Sequence, residues 1–138
     1  MSYEFAAALQ AAVYGRLSGD EAVAALALGG IHDGPLERGV EAGADYVTLG
    51  EEQARANDTK TSRGAVHDFT IAVHSGRDGF ERAKRIAGAV CAALIDAPLD
   101  LQAGRLVALR FLSARAERGR SAEKRRVALR FRAVLDQD

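Results

Sequence analysis

Apolar residues recur four apart at the start of the chain, at Phe5, Leu9, Val13 and Leu17. That spacing puts them on one face of a helix over about Glu4–Leu17. Ser18-Gly19-Asp20 stops it, and Asp20 can cap a second, alanine- and leucine-rich helix over Glu21–Leu28, closed by Gly29-Gly30. Ile31-His32-Asp33 reads as a short extended piece, and Leu36–Asp45 as a loop. The period then changes from four to two. Strands are predicted at Tyr46–Glu52 and Val66–Ser75. In the second, Phe69, Ile71 and Val73 alternate with Asp68, Thr70 and Ala72, so one face is expected to be buried and the other not. The polar, glycine-ended stretch Asn57–Gly64 between them is long for a hairpin connection, and is expected to order only on assembly.

After a turn at Gly76–Gly79 the helical period returns over Phe80–Ile95, with Phe80, Ile86, Ala87, Val90, Cys91, Leu94 and Ile95 as the apolar stripe and Pro98 beyond its end. Cys91 is expected in the core, where a free thiol packs as a small hydrophobe. The final third is a second hairpin. Val107, Leu109 and Phe111 alternate with Ala108 and Arg110; Val127, Leu129, Phe131 and Ala133 alternate with Ala128, Arg130 and Arg132; a turn is predicted near Gly119–Ser121. The order helix, helix, hairpin, helix, hairpin predicts an α+β fold: a mainly antiparallel sheet of about four to five strands with helices on one face.

Composition adds few constraints. A chain of 138 residues fits a single domain spanning 1–138, with an ordinary hydrophobic share of 48%. One cysteine permits no intrachain disulfide, and no apolar run reaches the length of a membrane span. The start of the chain lacks the basic and apolar pattern of a secretory signal, so synthesis in the cytoplasm is expected. Net charge is zero, yet its distribution is uneven. From Phe80 to Arg132 the bases are Arg82, Lys84, Arg85, Arg105, Arg110, Arg115, Arg118, Arg120, Lys124, Arg125, Arg126, Arg130 and Arg132, against only Glu81, Asp96, Asp100, Glu117 and Glu123. Such a layout suits packing against copies of itself, or weak binding of a polyanion.

Candidate chemistry is sparse. His67 and His74 are seven apart on one predicted strand and so point to opposite faces, which rules out a shared metal; they read as surface or edge imidazoles. Glu51 and Glu52 likewise diverge and form no acid–base dyad. Gly29-Gly30 lacks phosphate-loop spacing, while Gly15 and Gly88 inside helices suggest close packing. No catalytic, cofactor or metal residue is assigned, and no enzyme is expected. The arginines of the last hairpin are the strongest functional candidates. Arg110, Arg130 and Arg132, with Arg126 nearby, share the face opposite the apolar one. With no aromatic residues interleaved there, sequence-specific nucleic-acid recognition is not expected. Either the face is solvated or it meets an acidic surface.

Several segments together resemble a known family. They are Leu9-Gln10-Ala11-Ala12-Val13-Tyr14, Tyr46-Val47-Thr48-Leu49-Gly50, the loop Thr59-Lys60-Thr61-Ser62-Arg63-Gly64 leading into His67-Asp68-Phe69, the helix Ala83-Lys84-Arg85-Ile86-Ala87-Gly88-Ala89-Val90, and Gly104-Arg105-Leu106-Val107 ahead of Arg110-Phe111. In order and spacing they are similar to the tail-completion proteins of long-tailed phages, and more narrowly to the tail terminator of gene transfer agents. The resemblance implies a tail-terminator-like subunit with no enzymatic activity and no cofactor, which forms a homohexameric ring. Its implied partners are the major tail-tube protein, the head–tail connector and DNA passing through the ring. It implies synthesis in the bacterial cytoplasm and incorporation into the neck of a phage-like particle. Candidate contact residues are then Arg110, Arg126, Arg130 and Arg132 on the hairpin and Thr59, Lys60, Thr61 and Arg63 in the loop. The alternative is a small basic-faced module that binds nucleic acid or an acidic protein.

Overall fold

The computed structural model describes residues 3–33, 45–76, 80–95, 97–118 and 125–137. Its elements are α1 (Ala6–Ser18), α2 (Glu21–Leu26), β1 (Ile31–Asp33), β2 (Tyr46–Ala56), β3 (Gly64–Ser75), α3 (Glu81–Leu94), β4 (Arg105–Arg118) and β5 (Arg125–Asp136). The expected loop over Leu36–Asp45, the turn at Gly76–Gly79 and the hairpin tip at Gly119–Ser121 lie wholly or mostly outside the described residues.

The four-residue period of α1 buries Leu9, Val13 and Leu17, while Phe5 sits half-buried at its start. The Asp20 carboxylate accepts the Val23 amide at 3.0 Å, capping α2. That helix stops at Leu26, short of Leu28, whose side chain is exposed. In α3 the buried positions are Ala83, Ile86, Ala87, Val90, Ala93 and Leu94. The stripe is thus rotated slightly from the expected one: Cys91 is half-buried at the core margin and Ile95 is exposed. Burial raises the Cys91 thiol pKa above its ordinary value. The helix ends at Leu94, before Pro98, as Ile95 turns extended.

The strands form one five-stranded sheet in the order β1-β2-β3-β5-β4. β1 runs parallel to β2, and the other pairs are antiparallel. This is the expected α+β architecture, with a parallel edge strand added. Phe69, Ile71, Val73, Val127, Leu129, Phe131, Ala133 and Leu135 face the helices and join Leu9, Val13, Leu17, Ile86, Val90 and Leu94 in one hydrophobic cluster.

The sheet departs from the simple alternation in two places. β3 is buried on both faces for most of its length, not on one. It is flanked by β2 and β5 on its two sides, and on the face away from the helices Val66, Asp68 and Ala72 are buried as well. β4 carries register shifts at Leu106/Ala108 and Phe111/Ser113. The first puts Val107 in an irregularity, so it is 50% exposed where alternation predicts burial, while Leu109 keeps its place at 2%. Phe111 faces Phe131 edge-on at 6.0 Å yet remains partly exposed.

Glycines behave differently from expectation. A Cβ on Gly15 or Gly88 would meet nothing within 4 Å, so neither marks close helix packing. Close approach occurs instead at Gly64, where a Cβ would lie 2.8 Å from the Leu135 carbonyl oxygen and 2.9 Å from that of Asn57. At Gly104, φ is +78° and the Phe5 ring would lie 3.0 Å from a Cβ.

Candidate interaction surface

The face of the sheet turned away from the helices is built by the alternate residues of β5. Arg126, Ala128, Arg130 and Arg132 project there because Val127, Leu129, Phe131 and Ala133 occupy the core. Pairing with β4 sets Arg110 opposite Arg132, Ser113 opposite Arg130, Arg115 opposite Ala128 and Glu117 opposite Arg126. Four predicted contact residues, Arg110, Arg126, Arg130 and Arg132, therefore share one face.

Like charges opposed across a strand pair repel by some tenths of a kcal/mol. Part of that is relieved within the chain. Arg132 donates two hydrogen bonds to Asp68 of β3, Nε to Oδ1 at 2.8 Å and an η-nitrogen to Oδ2 at 3.0 Å. Those hydrogen bonds, followed by the charges of Arg132, Arg55 and Arg130, hold the Asp68 carboxyl below its ordinary pKa. Arg126 pairs with Glu117 at 2.7 Å. Arg110 and Arg130 are exposed and make no hydrogen bond or ion pair among the described residues. A shallow depression of about 320 Å³ opens here, lined among others by Glu51, Thr70, Ser113, Arg115, Arg126 and Arg130.

The loop residues Thr59, Lys60, Thr61 and Arg63 lie elsewhere. The Thr59 amide donates to the Ser62 carbonyl at 2.8 Å, and the Ser62 amide donates back to the Thr59 hydroxyl at 3.0 Å. The Ser62 hydroxyl donates to Asp136, and the Gln137 amide to the Arg63 carbonyl at 2.9 Å. These bonds tie the loop to the end of β5 within the subunit, so the chain itself supplies anchors that the sequence reading left to assembly. Asp136 is ten residues along β5 from Arg126, about 33 Å at ~3.3 Å per residue. The structure thus places the loop at one end of the sheet, nearer Arg132, and does not merge it with the arginine face.

His67 is not the surface or edge imidazole expected. His67 is fully buried on the helix side of β3, its Nδ1 3.1 Å from Glu52 Oε2 and its ring stacked under Tyr3 at 5.9 Å. The Tyr3 hydroxyl donates to the other oxygen of Glu52, which raises the phenol pKa above its usual value. His74 points to the opposite face, as the odd spacing requires, and stacks on Tyr46 at 4.5 Å. Among the described residues no three histidine, cysteine or carboxylate groups converge on a metal position.

Sequence reasoning missed Asp68 as the partner of Arg132. The only available signal was an acid in the middle of an apolar strand. It also missed the exposure of Val107, since a bulge leaves no mark in an alternating pattern.

Residues 11–136 match the tail completion protein gp17 family. No curated protein matches the sequence. Among solved structures, a chain described as "Virion of native gene transfer agent (GTA) particle" is 47% identical, with a TM-score of 0.90, over 98% of this chain and 99% of that one. The family match runs from α1 to the last residue of β5, through every element described above, and the chain therefore belongs to the tail completion protein gp17 family.

Proposed function

We propose that this chain is a structural subunit of the tail of a phage-like particle of the gene-transfer-agent kind, and not an enzyme. The observation that carries the reading is the 47% identity, end to end, with a chain of a gene transfer agent virion. In this reading residues 1–138 form a single tail-terminator-like unit. Copies close into a homohexameric ring that caps the tail tube, ends its growth and meets the head connector, while DNA passes through the hole. The subunit is made in the bacterial cytoplasm and built into the neck of the particle. The partners are other copies, the major tail-tube protein and the connector.

Arg110 and Arg130 support a contact role for the open sheet face, because two exposed guanidinium groups that make no hydrogen bond or ion pair among the described residues remain available to an acidic surface. The same two residues favour the second reading, a basic-faced module for nucleic acid or an acidic protein. Reversal of Arg130 to Glu separates them. Circular dichroism of Arg130→Glu should match wild type, since the side chain is outside the core. Native mass should show wild type as a discrete ring and the variant as weakened, as loss of a charge from a desolvated contact costs about 2–5 kcal/mol. Particles carrying the variant should have tails of irregular length. Unchanged rings and normal tails would mean that the face is only solvated. A monomer that shifts on DNA would favour the binding module.

A further inference from the structure

The sheet order leaves two edges, β1 with part of β2 on one side and β4 on the other. β4 is 14 residues long and, among the described residues, pairs only with β5. Of its side chains Leu109 alone is buried, whereas Val107, Phe111 and Leu112 are 50%, 43% and 38% exposed. An edge this long, with apolar side chains showing and no proline, is a template for another strand. Beside its first half lies a depression of about 570 Å³ between the α3–β4 connection and Arg105–Arg110, floored in part by the half-buried Leu99, Leu101 and Leu106.

The opposite edge is also incomplete. β1 covers β2 only at Val47, Thr48 and Leu49. Gly50–Ala56 has no strand on its outer side among the described residues. The two open edges differ in charge: β4 carries Arg105, Arg110, Arg115 and Arg118 against Glu117, while the free part of β2 carries Glu51 and Glu52 against Arg55. Their directions also fit. β2 runs antiparallel to β4 within one sheet, so a second copy that continues the sheet in the same orientation presents its β2 antiparallel to β4.

We infer that β4 pairs with Gly50–Ala56 of a second copy, so that the sheet runs on from subunit to subunit. The inference deepens the self-assembling reading above and rests on it. Because the two edges belong to different strands, the junction is head-to-tail and propagates without a two-fold axis. A two-fold pairing of β4 with β4 centred near Leu112 would instead bring Arg110 close to Arg115 of the other copy, like charges in opposition.

The test uses two edge-blocked proteins. Val107→Lys/Leu112→Lys charges the β4 edge, and Gln53→Lys/Ala56→Lys reverses the charge of the β2 edge, on the other side of the sheet from the apolar patch of β4. Sedimentation velocity follows association. Each variant alone should need a concentration raised by about tenfold or more for association. An equimolar mixture should form heterodimers and stop there, since one variant supplies an intact β2 and the other an intact β4. A mixture that stays monomeric, or variants that assemble like wild type, would overturn the edge pairing while leaving self-assembly standing. Wild type that is monomeric at every concentration and on tail tubes would overturn the self-assembling reading itself. Should either variant fail to fold, amide exchange on wild type decides: the Phe111 and Leu112 region should slow by about tenfold or more in the assembly, and unchanged exchange would overturn the pairing.

Discussion

At the scale of single residues, Asp68 and Gly64 carry consequences that alternation alone does not suggest. The Asp68 carboxyl has its pKa depressed in the folded chain, chiefly by the hydrogen bonds from Arg132. A depressed carboxyl stabilises the fold fully above its unfolded value of about 3.9, and the contribution is lost as pH falls through the lower folded value. Asp68→Asn is expected to cost about 1.5–3 kcal/mol at neutral pH. Urea unfolding at a series of pH values should show the gap between variant and wild type narrowing below about pH 4; a gap independent of pH would count against the ion pair. The glycines give a paired test. Gly64→Ala forces a methyl against two carbonyl oxygens, at 2.8 and 2.9 Å, and should destabilise by about 1–3 kcal/mol. Gly88→Ala adds a methyl in open space in the middle of α3 and should stabilise the isolated subunit by about 0.5–1 kcal/mol. Denaturant midpoints that moved in the same direction for both would refute this distinction.

Among the elements, the β2–β3 connection shows how a polar segment becomes structure. Its length and composition read as a loop waiting for a partner. The turn closed by Thr59 and Ser62, and the bonds from Ser62 and Gln137 that join loop to β5, are made within one chain. Amide exchange on a confirmed monomer should therefore find Thr59, Ser62 and Gln137 protected relative to the exposed residues Lys60 and Thr61; uniform, fast exchange across the loop would restore the view that assembly orders it. α3 makes the complementary point. Its period placed the helix and most of its buried face correctly. The stripe nonetheless centres on Ala83, Val90 and Ala93, which moves Cys91 to the margin and Ile95 into solvent.

For the whole molecule, the uneven charge along the chain is partly cancelled by topology. β3, from the first half, lies between β2 and β5, so Asp68 meets Arg132 from 64 positions away. Glu117 serves Arg126 across the last hairpin. What remains open among the described residues is a sheet face with Arg110 and Arg130, and two strand edges of opposite charge. Both features lie on the sheet and neither belongs to the helical layer, which is where the Arg130→Glu and edge-blocking experiments are aimed.

The sequence by itself determined the elements, because a period of four or two in hydrophobicity is a local property that burial of one face enforces. It determined which of Arg110, Arg130 and Arg132 share a side, because side chains on a strand alternate. It also carried the family resemblance in five spaced segments. Only the tertiary structure decided the strand order, the parallel position of β1 and the double burial of β3, since these depend on which strands become neighbours. It alone placed His67 in the interior under Tyr3, against the expectation of a surface or edge imidazole, because its cover comes from the far end of the chain. The bulges of β4 likewise follow from matching two strands of unequal path, and they, not the alternation, put Val107 on the outside.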